Sequence, residues 1–323
     1  MVKLLVTGAS GFVGQALCPF LKKKGMIIKA ALRRQPVEYP YDYSLINDIA
    51  NEEEWVQALD GVEVVIHLAA HAHGVKQGNY SKRQQDVCNL FNINVTGTKA
   101  LVQASYKAGV KHFIYLSSIK VNGEETHIKP FVEQDVPMPI DEYGESKLQA
   151  EEAIKGYCQD NKMSYTILRP PLIYGPKVKG NFSDLLAISA SKLPLPFSAL
   201  NNKRSLIYIE NLLDIIYLAL MNPKARNETF LLCDGEDLSV QELITCMRNI
   251  MNVPKNLWYC PLIILELIFK ILKRQQAFLR LSSPLQVNNQ KIRSDLGWQP
   301  RFSITQGLEE TVRWFLSSKK QNF

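Results

Sequence analysis

An α/β fold, a doubly wound parallel sheet carrying a smaller C-terminal lobe, is what three features of the sequence predict. Apolar runs at 2–7, 26–32, 62–68, 112–117 and 165–168 show little alternation, as strands buried on both faces do. Helical patterns fill the gaps, through Leu17, Phe20 and Leu21, then over 86–109 and 141–160, with Gly25 and Gly109 as stops. A glycine-rich turn joins the first strand to the first helix. Strands alternating with helices give parallel pairing through right-handed crossovers.

The rhythm breaks after about residue 171. The stretch 175–204 is rich in Pro, Lys, Asn and Ser; 205–208 reads as a short strand, 211–221 as a helix and 229–233 as a last strand. Residues 238–323 read as mainly helical, with stops at Pro254, Pro261, Pro284 and Pro300. The expected division is therefore 1–170 plus about 205–235 for the parallel-sheet part, and 171–204 plus 236–323 for the second lobe.

Composition sets bounds on these readings. With 323 residues and 46% apolar side chains, the chain builds its core without a disulfide or metal staple. The net charge of +7 comes without a long basic run, so an anionic small substrate accounts for it and nucleic acid is not expected. The six cysteines form no C-x-x-C pair and read as reduced thiols of a cytoplasmic protein. The opening MVKLLVTGAS reaches the glycine turn at once, so no secretory signal is expected. His67, His71 and His73 fit no common zinc spacing, and no metal is expected.

The turn Thr7-Gly8-Ala9-Ser10-Gly11-Phe12-Val13-Gly14 has G-x-x-G-x-x-G spacing directly after a strand. Glycines allow a tight turn and close backbone approach, so a pyrophosphate can sit on the helix N-terminus. The bland alternative is a tight turn without ligand. At the end of the second strand stand Arg33 and Arg34, where an acidic residue would bind the ribose hydroxyls of NAD. Two guanidiniums suit a 2′-phosphate and favour NADP(H), unless both are plain surface charges. Asp48 and Ile49 follow a third strand, placed to flank an adenine or simply to cap a helix.

Tyr143 and Lys147 share one helix face at i, i+4 spacing. A neighbouring ammonium is expected to lower the phenol pKa and fit it for proton exchange with a hydroxyl or carbonyl. Ser118, at the end of a parallel strand, adds a hydroxyl for the same oxygen, and the three together make an acid/base site beside a nicotinamide.

TGASGFVG (7–14), HLAA (67–70), NVTGT (94–98), LSS (116–118), YGESK (143–147), RPPLIYGP (169–176) and the segment 291–314 together resemble the extended short-chain dehydrogenase/reductase family, along essentially the whole chain. The resemblance implies a Rossmann domain holding NAD(P), a lobe for a UDP-sugar or other nucleotide-sugar, and a homodimer. By position it implies that Gly8, Gly11, Phe12, Val13 and Gly14 hold the pyrophosphate. Leu68, Ala69 and Ala70 would line the adenosine side, Tyr143 and Lys147 the nicotinamide ribose, and Pro170 and Leu172 the carboxamide end. Ser118, Tyr143 and Lys147 would be the catalytic triad. Asn181 matches the asparagine that opens the sugar-nucleotide helix, Leu195 and Phe197 the strand that packs uracil, and Arg204 an arginine on the diphosphate.

Segments 117–124, 170–182 and 201–214 are similar to a bacterial subgroup from O-antigen and other polysaccharide gene clusters. That subgroup includes reductases of UDP-4-keto-6-deoxy-N-acetylglucosamine, which form UDP-N-acetylquinovosamine or its fucosamine epimer. Lys120 and Asn122 depart from the T-V-Y of the family's epimerases and are expected to touch the sugar. Leu172 departs from the asparagine of galactose epimerases. The readings that remain are a UDP-4-keto-6-deoxy-hexosamine reductase, a UDP-sugar 4-epimerase and an NADP-binding regulator; the intact Ser118, Tyr143 and Lys147 count against the last. The apolar segment 257–272, interrupted by Pro261, Glu266 and Lys270, is too short to span a bilayer. It reads as a buried helix or as one lying on a membrane surface.

Overall fold

A computed structural model describes residues 2–71, 80–160 and 162–320. Seven strands form one parallel sheet: β1 (Lys3–Thr7), β2 (Ile27–Leu32), β3 (Asp42–Leu45), β4 (Val64–His67), β5 (His112–Leu116), β6 (Ser164–Arg169) and, further along the chain, β9 (Glu228–Leu231). Their order is β3-β2-β1-β4-β5-β6-β9. The chain winds outward from β1 in one direction and then from β4 in the other, so a crevice opens at the C-terminal ends of β1 and β4. The first half of the chain supplies the helices α1 (Phe12–Lys23), α2 (Glu52–Ala58), α3 (Tyr80–Phe91), α4 (Gly97–Lys107) and α5 (Glu142–Tyr157).

The non-alternating strand runs have a direct cause. Leu4 and Val6 of β1 face one core with Ile66, Ile114, Leu116 and Leu168, whereas Leu5 faces another with Val65, Phe113, Tyr115 and Ile167. Both faces are dry, so apolar residues run on through consecutive positions instead of alternating.

The expected helix over 86–109 begins earlier, at Tyr80, and is interrupted by a π-helical turn, Asn92–Thr96. Local periodicity does not reveal this turn, which is fixed by the long-range bonds of Asn94 described below. The expected helix over 141–160 is α5, capped by Asp141, whose Oδ1 accepts from the Gly144 N–H at 2.7 Å.

A second sheet of three strands joins β7 (Leu172–Tyr174), β8 (Lys203–Tyr208) and β10 (Asp237–Ser239) in the order β10-β8-β7. Strand β8 therefore sits away from the main sheet, which β9 completes. The second half of the chain supplies the helices α6 (Asn181–Ser189), α7 (Ile209–Met221), α8 (Val240–Ile250), α9 (Leu262–Ile271), α10 (Gln275–Ser282), α11 (Gln290–Leu296) and α12 (Ile304–Lys320). The larger core is continuous between the two sheets, running from Leu17 and Leu21 through Tyr174, Phe182, Ile207 and Leu212 to Leu308 and Val312.

Candidate active site

The glycine turn closes on the end of β4. Gly8 has φ +67°, and a Cβ there would lie 2.8 Å from the Ala69 nitrogen. A Cβ on Gly14 would lie 2.3 Å from the Gly8 oxygen. Glycine is thus required at both positions, by backbone conformation at the first and by close approach at the second. Gly11 caps α1 without a side-chain acceptor on the first-turn N–H groups. Those donors and the helix dipole suit a pyrophosphate, so these residues fit a dinucleotide. The same turn borders an open pocket of about 480 Å³ that Ser10, Phe12, Gln15, Lys177, Lys179 and Trp314 help to line. The sequence reading had not singled out Lys177 or Lys179, and nothing in their spacing marks them.

A buried polar relay fixes this floor. The Thr7 hydroxyl lies 2.6 Å from His67 Nδ1 and accepts from the Ala69 N–H at 3.1 Å; His67 Nε2 lies 2.9 Å from the Thr98 hydroxyl. Burial first, and the charge of Lys147 second, pull the His67 pKa down to about 3. The ring is therefore neutral and engaged at both nitrogens. Asn94, in the π turn, accepts from the His71 N–H at 2.7 Å and donates to Ser146 Oγ at 2.9 Å. Ser146 in turn donates to the Tyr143 carbonyl. The end of β4 is thus tied to the first turn of α5, a known use of π turns at functional sites. His73 lies outside the described residues.

Tyr143 and Lys147 share a face of α5, as their spacing predicted. Lys147 Nζ donates to the Leu116 carbonyl at 2.9 Å and stands 4.5 Å from the centroid of the Tyr115 ring and 5.9 Å from that of Tyr143. Ser118 follows β5, and its Oγ accepts from the Lys120 N–H at 3.3 Å. The expected electrostatics need correction. Burial raises the Tyr143 phenol above its ordinary value, with the Asp141 carboxylate adding to the rise. Burial also pulls Lys147 down to about 7, against an opposing contribution from Glu151. Desolvation is the leading cause of both shifts, so the neutral phenol is favoured.

Beneath this face, Glu151 and Arg169 form a dry bidentate pair, Nε–Oε1 2.9 Å and Nη2–Oε2 2.6 Å, and Ser117 Oγ donates to Glu151 Oε1. Asn122 belongs to this network. It is 2% exposed, its Oδ1 accepts from Arg169 Nη1 at 2.9 Å, and its Nδ2 faces the Val132 carbonyl. The polar atoms of Asn122, expected at the sugar, are thus engaged inside the fold.

Lys120 is placed differently. Half-buried, it bridges Glu124 and Asp141. Burial works against the Asp141 carboxylate, yet hydrogen bonds from Lys120 and the Gly144 N–H hold it below its ordinary range. Glu124 also faces Arg204, whose Nη1 donates to the Ser283 carbonyl. Burial lowers the Arg204 pKa to about 10; the Glu124 carboxylate opposes that shift, and Arg280 adds a smaller lowering. A guanidinium there, with a second one near enough to act on it, suits a diphosphate. Arg280 had not been singled out in the sequence; only its approach to Arg204 in space reveals it.

The remaining expected residues are distributed as follows. Leu68, Ala69 and Ala70 follow β4, half-buried beside Gly8. Arg33 and Arg34 are exposed after β2. Asp48 is exposed and accepts from the Ala50 N–H, while the Ile49 side chain enters a gap left by Gly97, where a Cβ would lie 2.8 Å from Ile49 Cγ2. Pro170 is buried and its carbonyl accepts from the Ile119 N–H; Leu172 is exposed at the start of β7. Asn181 is the first residue of α6, exposed, with Gly180 in the cap position. Leu195 and Phe197 are buried in the larger core, and the Leu195 N–H and carbonyl are already paired with Asn256 and Trp258.

A sequence profile of the NAD dependent epimerase/dehydratase family matches residues 4–233. A UDP-glucose 4-epimerase of Vibrio cholerae is 34% identical over 98% of this chain and 97% of its own. An N-acetyl-α-D-glucosaminyl-diphospho-ditrans,octacis-undecaprenol 4-epimerase of Escherichia coli O157:H7 is 29% identical over 99% of this chain and 97% of its own. In fold, the chain is similar to the Thermotoga maritima UDP-glucose 4-epimerase crystallised with UDP-glucose, at TM-score 0.80 and 23% identity over 98% of this chain and 100% of that one. It is also similar to a Bacillus cereus UDP-glucuronic acid 4-epimerase in complex with NAD, at TM-score 0.77 and 22% identity over 98% and 99%.

Proposed function

Because this chain belongs to the NAD dependent epimerase/dehydratase family, we propose that it exchanges hydride at C4 of a diphosphate-linked sugar, as a UDP-hexose or UDP-N-acetylhexosamine 4-epimerase. One arrangement supports the reading: Lys147, on the same face of α5 as Tyr143, is bound to the Leu116 carbonyl at the end of β5, two residues before Ser118, and Asn94 ties the first turn of α5 to the strand end that abuts the glycine turn. A nicotinamide bound there would accept and return the C4 hydride. The protein residues do the rest. The turn from Gly8 to Gly14 binds pyrophosphate, with Ile49 and Leu68 to Ala70 at the adenosine end. Tyr143 Oη moves the proton of the C4 oxygen, Ser118 Oγ hydrogen-bonds that oxygen, and Lys147 positions and tunes the phenol. Arg204 holds the diphosphate, Asn181 and Lys120 face the sugar, and Leu195 and Phe197 back the carrier. The same arginine grip would serve a polyprenyl diphosphate, the carrier in the E. coli relative's name.

A second reading is a 4-keto reductase using NADPH. Arg33 and Arg34 favour it, exposed at the end of β2 where a 2′-phosphate would be read. One assay separates the two. UDP-N-acetylglucosamine is offered without added cofactor, and UDP-4-keto-6-deoxy-N-acetylglucosamine is offered with NADPH. Formation of the 4-epimer in the first supports the epimerase. Stoichiometric loss of nicotinamide absorbance in the second, with none of the first, replaces it by the reductase.

A further inference from the structure

The segment read as either a buried or a surface-lying helix turns out to be exposed. In α9 only Leu265, 1% exposed, is fully buried, and Phe269, one turn on, rests against the ring of Phe278 in α10 at 5.7 Å between centroids. Most of the rest of the helix faces outward: Ile263 is 81% exposed and Ile271 72%, and Leu262, Ile264, Leu267 and Ile268 are exposed as well. Trp258 and Tyr259 extend the same exposed apolar surface ahead of α9, and Leu272 and Leu279 extend it behind. A monomer rarely leaves so continuous an apolar stretch in water without a use for it.

The charges around it indicate what covers it. From residue 255 to residue 280 the charged residues are Lys255, Glu266, Lys270, Lys273, Arg274 and Arg280, a single acid among bases, and all are exposed. Long cationic side chains can keep their heads at an anionic surface while their stems lie along apolar groups. Tryptophan and tyrosine are the side chains that settle at the boundary between headgroups and acyl chains. A helix of ten residues, as α9 is, spans only about 15 Å. No helix among the described residues is long and apolar enough to cross a membrane. Short, apolar on most of its circumference and bordered by bases, it has the features of a helix that lies in the interface.

We propose that the α9–α10 hairpin, with Trp258 and Tyr259, docks the protein on the surface of an anionic lipid bilayer. Ser283, whose carbonyl Arg204 grips, directly follows α10. The docked hairpin therefore carries the phosphate-binding end of the cleft with it, and a diphosphate anchored in the bilayer would arrive beside Arg204 and Arg280. That last consequence rests on the diphosphate grip proposed above; the docking itself does not.

The test is cosedimentation of the purified full chain with vesicles of phosphatidylcholine, with and without phosphatidylglycerol. Wild-type protein is expected to pellet with the anionic vesicles and to be released by salt. The double variant Ile263→Asp/Ile271→Asp, and separately Lys270→Glu/Lys273→Glu, should bind the anionic vesicles about tenfold more weakly or worse. Both variants should keep the wild-type melting temperature and dinucleotide binding, which shows that they fold. Wild-type protein left in the supernatant with anionic vesicles would overturn the proposal, as would double variants that pellet like wild type. A dimer in light scattering that Ile263→Asp/Ile271→Asp turns into a monomer, without vesicle binding by either form, would assign the face to a second copy of the chain instead. Turnover of a water-soluble UDP-sugar is read without vesicles, so failure of docking and failure of the C4 chemistry give different results.

Discussion

The floor beneath Tyr143 and the hairpin α9–α10 invert each other. In the floor, charged and polar groups lie in a dry interior, paired with one another: Glu151 with Arg169 and Ser117, Asn122 with Arg169, His67 with Thr7 and Thr98. In the hairpin, leucines and isoleucines face outward with no such partners. Polar groups that cost free energy to bury persist where they fix geometry, because removing one leaves the others unpaired. Exposed apolar groups contribute little to the fold and are free to serve a surface. The comparison predicts a sharp asymmetry in what substitutions do.

The greatest effects belong to the floor and the turn above it. Gly14→Ala puts a methyl against the Gly8 carbonyl and the Ala9 backbone, and is expected to abolish dinucleotide binding, as read by fluorescence titration. Lys147→Met should lower turnover by about two to four orders of magnitude, the usual range for a lost acid/base contribution. Glu151→Leu leaves Arg169 buried without its carboxylate and should cost about 3–5 kcal/mol in denaturant unfolding. A variant as stable as wild type would show that the Glu151–Arg169 pair does not hold the floor together.

A smaller effect concerns pH. The Lys147 pKa is lower folded, about 7, than in an open chain, where it is near 10.5. Between these values the unfolded chain binds more protons, so stability rises with pH from 7 towards 10 and the contribution is lost as pH falls through 7. His67 acts in the same sense lower down: folded pKa about 3 against 6.5, so stability falls as the solution is acidified through that window. Lys147→Met should flatten the first slope in melting curves taken from pH 7 to 9.5; a slope that persists unchanged would assign it to other groups. The smallest effect lies at the other pole of the comparison. Ile263→Asp should change stability by no more than about 0.5 kcal/mol, as for an exposed site without partners.

The parts of this arrangement legible in the sequence are those with a local signature. The turn from Gly8 to Gly14 announces itself after an apolar strand, and Tyr143 and Lys147 share a helix face by spacing alone. Residues that meet only in space were not legible. Nothing local links Glu151 to Arg169, Arg280 to Arg204, or Lys120 to Asp141, and Asn122 looked like a free polar residue until its partner Arg169 was placed. The π turn at Asn92–Thr96 was hidden for the same reason. The phenol's protonation was misjudged because spacing shows a neighbouring ammonium but not how completely both groups are desolvated. The apolar run at 257–272 was visible, but which way it faced was not.

Replacement of Tyr143 by phenylalanine tests the central claim most directly, because it removes one oxygen and leaves the ring in place. Measured side by side, C4 turnover of the diphosphate-linked sugar should fall by at least about a hundredfold while dinucleotide affinity stays within a few-fold of wild type. A Tyr143→Phe variant that turns over at the wild-type rate would contradict the account, since the proton would then be moving through another group.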